Sequence, residues 1–195
     1  QHVSVKESVE LLRNARAKGI PVTGEATPHH LTLTDECIKK YDTNYKMNPP
    51  LRSEEDRLAL IAGVADGTIT AIATDHAPHT MTAKMVEFDY APFGIIGLET
   101  ALPVSYGELV AKGVISLPKL VELFTAGPAD ILGFDDYSLA PGNPADLTVF
   151  DPEAKYIVDK EQFKSNSRNT PFDGWEVQCK TMLTMVGGKI VYNEL

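Results

Sequence analysis

A chain of 195 residues with 43% hydrophobic and 23% charged side chains has a globular composition, and it is long enough to bury roughly 70% of the surface that its unfolded form would expose. The formal net charge of −9 argues against a phosphate-binding surface, so no nucleic acid partner is expected. No apolar run approaches the ~20 residues that a membrane helix needs, so no membrane partner is expected either.

The chain opens Gln1-His2-Val3-Ser4 without an initiator Met, a basic segment or a signal-type apolar stretch, and is expected to be a piece of a longer protein. Ser4 and Glu7 make a capping-box pattern, and Val9, Leu12 and Ala15 recur at helical spacing up to Gly19, which predicts a helix over 5–18. A short strand follows over 20–26. A second helix is expected to begin near Thr34 and to break before Asn48-Pro49-Pro50, where two prolines forbid continuation. Ser53 is a good N-cap for a helix over 54–65, ended by Gly67. The run ITAIAT at 69–74 suits a buried parallel strand with Asp75 at its C-terminal end.

A loop punctuated by Gly and Pro then runs over about 77–94, a length that is usually functional or disordered in compact domains. Beyond it the chain turns helical, with a start marked by Ser116 and Pro118, a helix reaching Thr125, and a last turn over 129–132 ended by Gly133. Strand-like runs at 146–150, 156–158 and 182–186 come next, and Gly187-Gly188 before KIVY is a two-residue hairpin signal. Two parts are expected: α/β units over 1–134 and a small β unit over 135–195, joined near Asp135-Asp136.

The two cysteines, Cys37 and Cys179, are far apart and outside any C-x-x-C motif. They indicate neither a disulfide framework nor a thiolate zinc knuckle, and a reducing cytoplasm fits them best.

Ala73-Thr-Asp75-His76-Ala77-Pro78-His79 places an acid and two imidazoles just past a buried strand, where α/β barrels and open sheets keep their active groups. Asp75 and His79 could supply a metal ligand or general base together with a hydrogen-bond donor for an anionic substrate. The competing reading makes Asp75 a turn cap and the histidines ordinary loop residues. Taken alone, His2 reads more readily as a solvated side chain than as a ligand, and His29-His30 as a backbone-bonded or supporting pair. Asn48, in the rigid loop KMNPPLR, offers both a donor and an acceptor, as recognition of a cyclic amide requires; it could also be a turn cap. Glu54-Glu55 and Asp135-Asp136 read as solvated acids without a chemical role.

Together, HVSVKES at 2–8, TPHHL at 27–31, KMNPPLR at 46–52 and ATDHAPH at 73–79 resemble, in order and spacing, the dihydroorotases of the long bacterial type. PFGIIGLET at 92–100 and PGNPADLTV at 141–149 extend the resemblance over almost the whole chain, the latter motif being shared widely among amidohydrolases. The resemblance implies an α/β fold, the C-terminal part of a (β/α)8 TIM-type barrel plus a small β-sandwich segment. It implies zinc-dependent, reversible hydrolysis of dihydroorotate to carbamoyl aspartate, with one or two Zn2+ in the intact enzyme. His2 would be a zinc ligand, Asp75 a zinc ligand and the general base and acid, and Asn48, His79 and the backbone around Phe93 and Gly94 the groups that hold the substrate ring and its carboxylate. The loop over 77–94 would then close over substrate.

The His-x-His pair, its neighbouring arginine, the bridging aspartate and a further histidine of the family all precede residue 1 in the family order. The resemblance therefore implies that this polypeptide alone is inactive and needs the N-terminal part of the barrel, because a catalytic zinc takes about three protein ligands. A homo-oligomer or an association with aspartate transcarbamoylase would be in keeping with the family. Other readings are an allantoinase or dihydropyrimidinase, which share the barrel but differ in the substrate loop, and a non-catalytic dihydroorotase-like subunit that supports a transcarbamoylase.

Overall fold

The computed structural model describes residues 1–134 and 138–195; the expected join at Asp135-Asp136 lies outside the described residues. The architecture is α/β. Helix α1 (Lys6–Ala17) forms as the apolar spacing predicts, and α3 (Glu54–Ala65) packs on it. The close approach depends on Gly63, where a Cβ would sit 2.9 Å from Val9 Cγ1. Ser53 caps α3 by accepting the Asp56 N–H at 3.3 Å, and three acids in the first turn complement the helix dipole. The capping box expected at Ser4 does not form. Val5 is the N-cap, and the buried Ser4 hydroxyl instead accepts from Arg52 Nε at 3.3 Å.

The strand expected over 20–26 shrinks to β1 (Glu25–Ala26), which pairs in parallel with β2 (Ala71–Ile72). Flanking bonds from Thr70 N–H to Gly24 O and from Ala73 N–H to Ala26 O extend the contact by a residue at each end. On the other flank of β1, Val3 N–H donates to Glu25 O at 2.9 Å. Three extended segments therefore lie side by side and bring His2, Glu25 and Asp75 to one edge. Helix α2 (Pro28–Thr32) follows β1 at once, started by Pro28 and capped by Thr27. The helix expected near Thr34 is absent; the segment holds two single 3-10 turns, Asp35–Cys37 and Thr43–Tyr45. Between them Lys40 and Tyr41 take positive φ, which no helix continues through.

The loop over 77–94 contains one short helix, α4 (Met81–Lys84). Its two ends are zipped together by a bridge between His76 and Ile95 and by Ala77 N–H donating to Ile95 O at 2.8 Å. Helix α5 (Ala101–Ser105) runs into a π turn, Tyr106–Val110. Helix α6 (Leu117–Phe124) is capped by Ser116 as predicted. Helix α7 (Ala126–Leu132) starts earlier than the turn expected over 129–132, and it ends at Gly133.

The C-terminal part is a three-stranded antiparallel sheet in the order β3 (Leu147–Ile157), β4 (Glu176–Val186), β5 (Lys189–Asn193). The two strand-like runs at 146–150 and 156–158 are one bulged strand, and the Gly187-Gly188 hairpin joins β4 to β5. One apolar cluster gathers Val9, Leu31, Leu60, Val64, Ile69, Leu109, Leu120 and Leu123 around β1 and β2. A second joins the sheet to the α/β part: Val158, Phe172 and Val177 pack with Met47, Leu51, Ile95 and Val104. No helix of the described residues is long and apolar enough to cross a membrane.

Candidate active site

The strand ends bring together the two residues that the motif reading paired as metal ligands. His2 Nε2 lies 3.8 Å from Asp75 Oδ1, both side chains about one quarter exposed. His2 Nδ1 lies 3.0 Å from Glu25 Oε1, a close contact whose angle falls short of a hydrogen bond. The carboxylate behind Nδ1 leaves Nε2 facing Asp75, the arrangement by which an outer carboxylate orients a metal-binding imidazole. Both residues hold left-handed backbone, φ 51° at His2 and 48° at Asp75. Residues other than glycine adopt that region rarely, and such strain concentrates at functional sites. The donor set, one imidazole nitrogen and one carboxylate oxygen converging from neighbouring strand ends, fits a zinc ion. It is incomplete, since no group of three or more His, Cys, Asp or Glu side chains is placed to hold a metal among the described residues.

His29 and His30 sit on α2, both buried. His30 Nε2 donates to Pro49 O at 3.0 Å and its Nδ1 meets the Thr27 hydroxyl at 2.7 Å, so both ring nitrogens are used. Burial pushes its pKa down to about 4, against the opposing pull of the Pro49 carbonyl. A neutral His30 thus ties the loop carrying Asn48 to α2, in line with a backbone-bonded role. Burial likewise holds His29 well below the ordinary histidine range, with His30 and His2 adding to the effect, and its Nε2 is buried without a hydrogen-bond partner among the described residues.

The predicted substrate groups lie on two loops. Asn48 is exposed, and its side-chain amide makes no hydrogen bond among the described residues, leaving its donors and acceptor open. His79 Nε2 meets the Phe93 carbonyl at 2.8 Å; a carbonyl only accepts, so Nε2 carries the hydrogen. Gly94 takes φ 97°, and a Cβ there would stand 2.6 Å from Ala77 Cβ, so only glycine fits. The Gly94 N–H is already committed to Lys46 O at 2.8 Å. The Phe93 N–H has no such partner among the described residues. Among the described residues no hydrogen bond or ion pair joins Asn48, His79, Phe93 or Gly94 to the His2–Asp75 pair.

A profile of the amidohydrolase family matches residues 1–191 of the 195. The chain belongs to the amidohydrolase family. Among its relatives, dihydroorotases from Desulforapulum autotrophicum, Geobacter metallireducens and Bacillus caldolyticus are 55%, 51% and 52% identical. Those alignments cover 98–99% of this chain and 44–45% of the relatives, so this amidohydrolase chain spans less than half the length of the proteins it matches. Among solved structures, a dihydropyrimidinase from Brevibacillus agri superimposes with TM-score 0.92 at 27% identity, and an L-hydantoinase from Arthrobacter aurescens with TM-score 0.92 at 34% identity. Each match covers 99% of this chain and 44% of the other.

Three residues of the site were missed in the sequence. Glu25 stands at a strand end, which is a signal, but its contact with His2 is visible only once the segments lie side by side. Asn169, buried, donates from Nδ2 to Ala77 O at 2.9 Å and to Gly94 O at 3.3 Å, and its Oδ1 accepts the His79 N–H at 3.2 Å. Lys84, only 6% exposed, donates to Pro92 O at 3.0 Å and Gly94 O at 3.1 Å. No sequence signal points to the last two, which act on backbone far from them in the chain or across a loop.

Proposed function

We propose that this chain supplies the C-terminal side of the active site of a zinc-dependent dihydroorotase, the remaining strands of a (β/α)8 barrel and the rest of a small β-sandwich coming from an N-terminal part. The observation that carries the reading is the convergence of His2 Nε2 on Asp75 Oδ1, with Glu25 behind the imidazole. His2 and Asp75 would hold Zn2+, which when bound lowers the pKa of water from about 15.7 towards 7 and polarises a carbonyl. Asp75 then takes a proton from the attacking water at a carboxylate oxygen and delivers it to the ring nitrogen that leaves as dihydroorotate opens to N-carbamoyl-L-aspartate. Asn48 offers its free amide to the cyclic amide, and His79 and the Phe93 N–H face the carboxylate. The free thiols Cys37 and Cys179 suit a reducing cytoplasm.

Hydantoinase-type substrates are the second reading, supported by the solved structures that superimpose. Asn48 within MNPP and His79, as motif residues, favour dihydroorotate, and the open Phe93 N–H supplies a donor that a carboxylate-bearing ring rewards and a neutral ring leaves unused.

The test is dihydroorotate hydrolysis with zinc supplied, for the chain alone and for the chain mixed with the matching N-terminal segment of the Desulforapulum autotrophicum relative. Activity in the mixture alone is expected. Turnover by the isolated chain would overturn this account of the metal site. A folded but silent mixture would favour a non-catalytic subunit that supports a transcarbamoylase, and turnover of dihydrouracil or hydantoin in place of dihydroorotate would favour the second reading.

A further inference from the structure

Lys84 is a buried ammonium with no carboxylate within 4 Å among the described residues. A charge in that position is costly unless its donors are used and its field has a purpose. Its donors are used on two carbonyls of one short turn, Pro92 O and Gly94 O. In a trans peptide the N–H points opposite to the C=O, so drawing the Pro92 carbonyl toward Lys84 turns the Phe93 N–H the other way. Among the described residues that N–H has no hydrogen-bond partner, whereas Gly94 N–H is held by Lys46 O. Lys46 reinforces the same turn from outside: its Nζ donates to Asp89 O at 2.9 Å and lies 4.7 Å from the centre of the Phe93 ring. Thr43 in turn donates to Lys84 O at 2.6 Å and anchors the end of α4.

We propose that Lys84 is a positioning residue for substrate anion recognition: it pins the Pro92 and Gly94 carbonyls inward, so that the turn presents the Phe93 N–H outward with a positive charge behind it that no carboxylate pairs within 4 Å among the described residues. The ligand so recognised is a ring bearing a carboxylate, and the inference rests on the proposed dihydroorotase reading. The charge is sensitive to pH, since burial and the neighbouring Lys46 lower the Lys84 pKa to about 8, with Asp42 opposing. His79, bonded to the Phe93 carbonyl, faces the same turn. As pH rises through about 8 the ammonium is lost, the pull on both carbonyls weakens, and the field behind the turn disappears.

The test uses the chain completed by the N-terminal segment and compares wild type, Lys84→Met and Lys84→Arg with dihydroorotate and with dihydrouracil, which lacks the carboxylate. Lys84→Met is expected to raise KM for dihydroorotate about 10- to 100-fold, the size of a lost hydrogen bond to a charged group, with kcat within about threefold. Lys84→Arg, which keeps the charge, falls between the two, and dihydrouracil is affected little by either change. Wild-type KM for dihydroorotate rises above about pH 8, and the rise is absent in Lys84→Met; if Lys84→Met does not fold, this wild-type profile and Lys84→Arg decide. An unchanged KM and the same pH profile in Lys84→Met would overturn the proposal. Inactivity of the wild type on dihydroorotate would instead sink the dihydroorotase reading. Hydrogen exchange at the Gly94 amide then decides the clamp by itself: faster exchange in Lys84→Met supports it, and equal exchange overturns it.

Discussion

The two sides of the site are built in opposite ways. The strand-end side, His2, Glu25 and Asp75, is partly exposed, holds two residues in left-handed backbone and brings together the two side chains proposed to hold the metal, where about three are needed. The loop side is complete within the chain: Lys84, Asn169, Lys46 and His79 all bond to the backbone of 77–94, and the two most connected of them are buried. In the proposed site, chemistry shared with other strands would be left open, while the surface that meets a ligand's anionic end would be fixed locally. A metal supplies rigidity to ligands once bound, whereas backbone donors need a scaffold before any ligand arrives.

Substitutions at either side can break that contrast. The largest effect is expected from Asp75→Asn, which keeps the shape and removes the proton carrier. Turnover by the completed barrel should fall about 10³-fold or more, measured as steady-state kcat, and a fall below tenfold would remove Asp75 from the chemistry. Glu25→Gln should lower zinc affinity about 10- to 100-fold by loosening His2; competition with a chelator dye on the completed barrel reads it, and unaltered affinity would make Glu25 a bystander. Asn169→Ala acts on the other side. It leaves the half-buried Ala77 carbonyl short of a donor and the Gly94 carbonyl with Lys84 alone, and should destabilise the chain by about 1 kcal/mol in urea unfolding, while zinc affinity stays within twofold or so of wild type. A matching loss of zinc affinity would show that the two sides are one unit.

Much of the local structure is legible in the sequence because it depends on neighbours in the chain. Ser53 and Ser116 cap α3 and α6 through bonds three residues ahead, and the Gly187-Gly188 turn forms where two apolar runs meet. The Ser4 cap fails for a long-range reason: Arg52, 48 residues away, takes the hydroxyl. The helix expected near Thr34 fails because positive φ at Lys40 and Tyr41 bends the segment, and the preceding Leu33 is drawn into the core with Met47 and Phe172. Helical spacing alone does not record that competition.

The sequence by itself determined the family motifs and the α/β order, since strand ends and motif spacing are properties of a linear pattern; His2 taken alone reads as a solvated side chain, and only the family resemblance implies its pairing with Asp75. Only the tertiary structure decided which groups serve those residues. Glu25 reaches His2 because parallel segments lie side by side, and Asn169 reaches Ala77 and Gly94 across 92 and 75 residues of chain. Lys84 turns inward because the carbonyls of one turn need a donor. Buried polar groups must be satisfied wherever the fold leaves them, and that requirement has no period for a sequence to display.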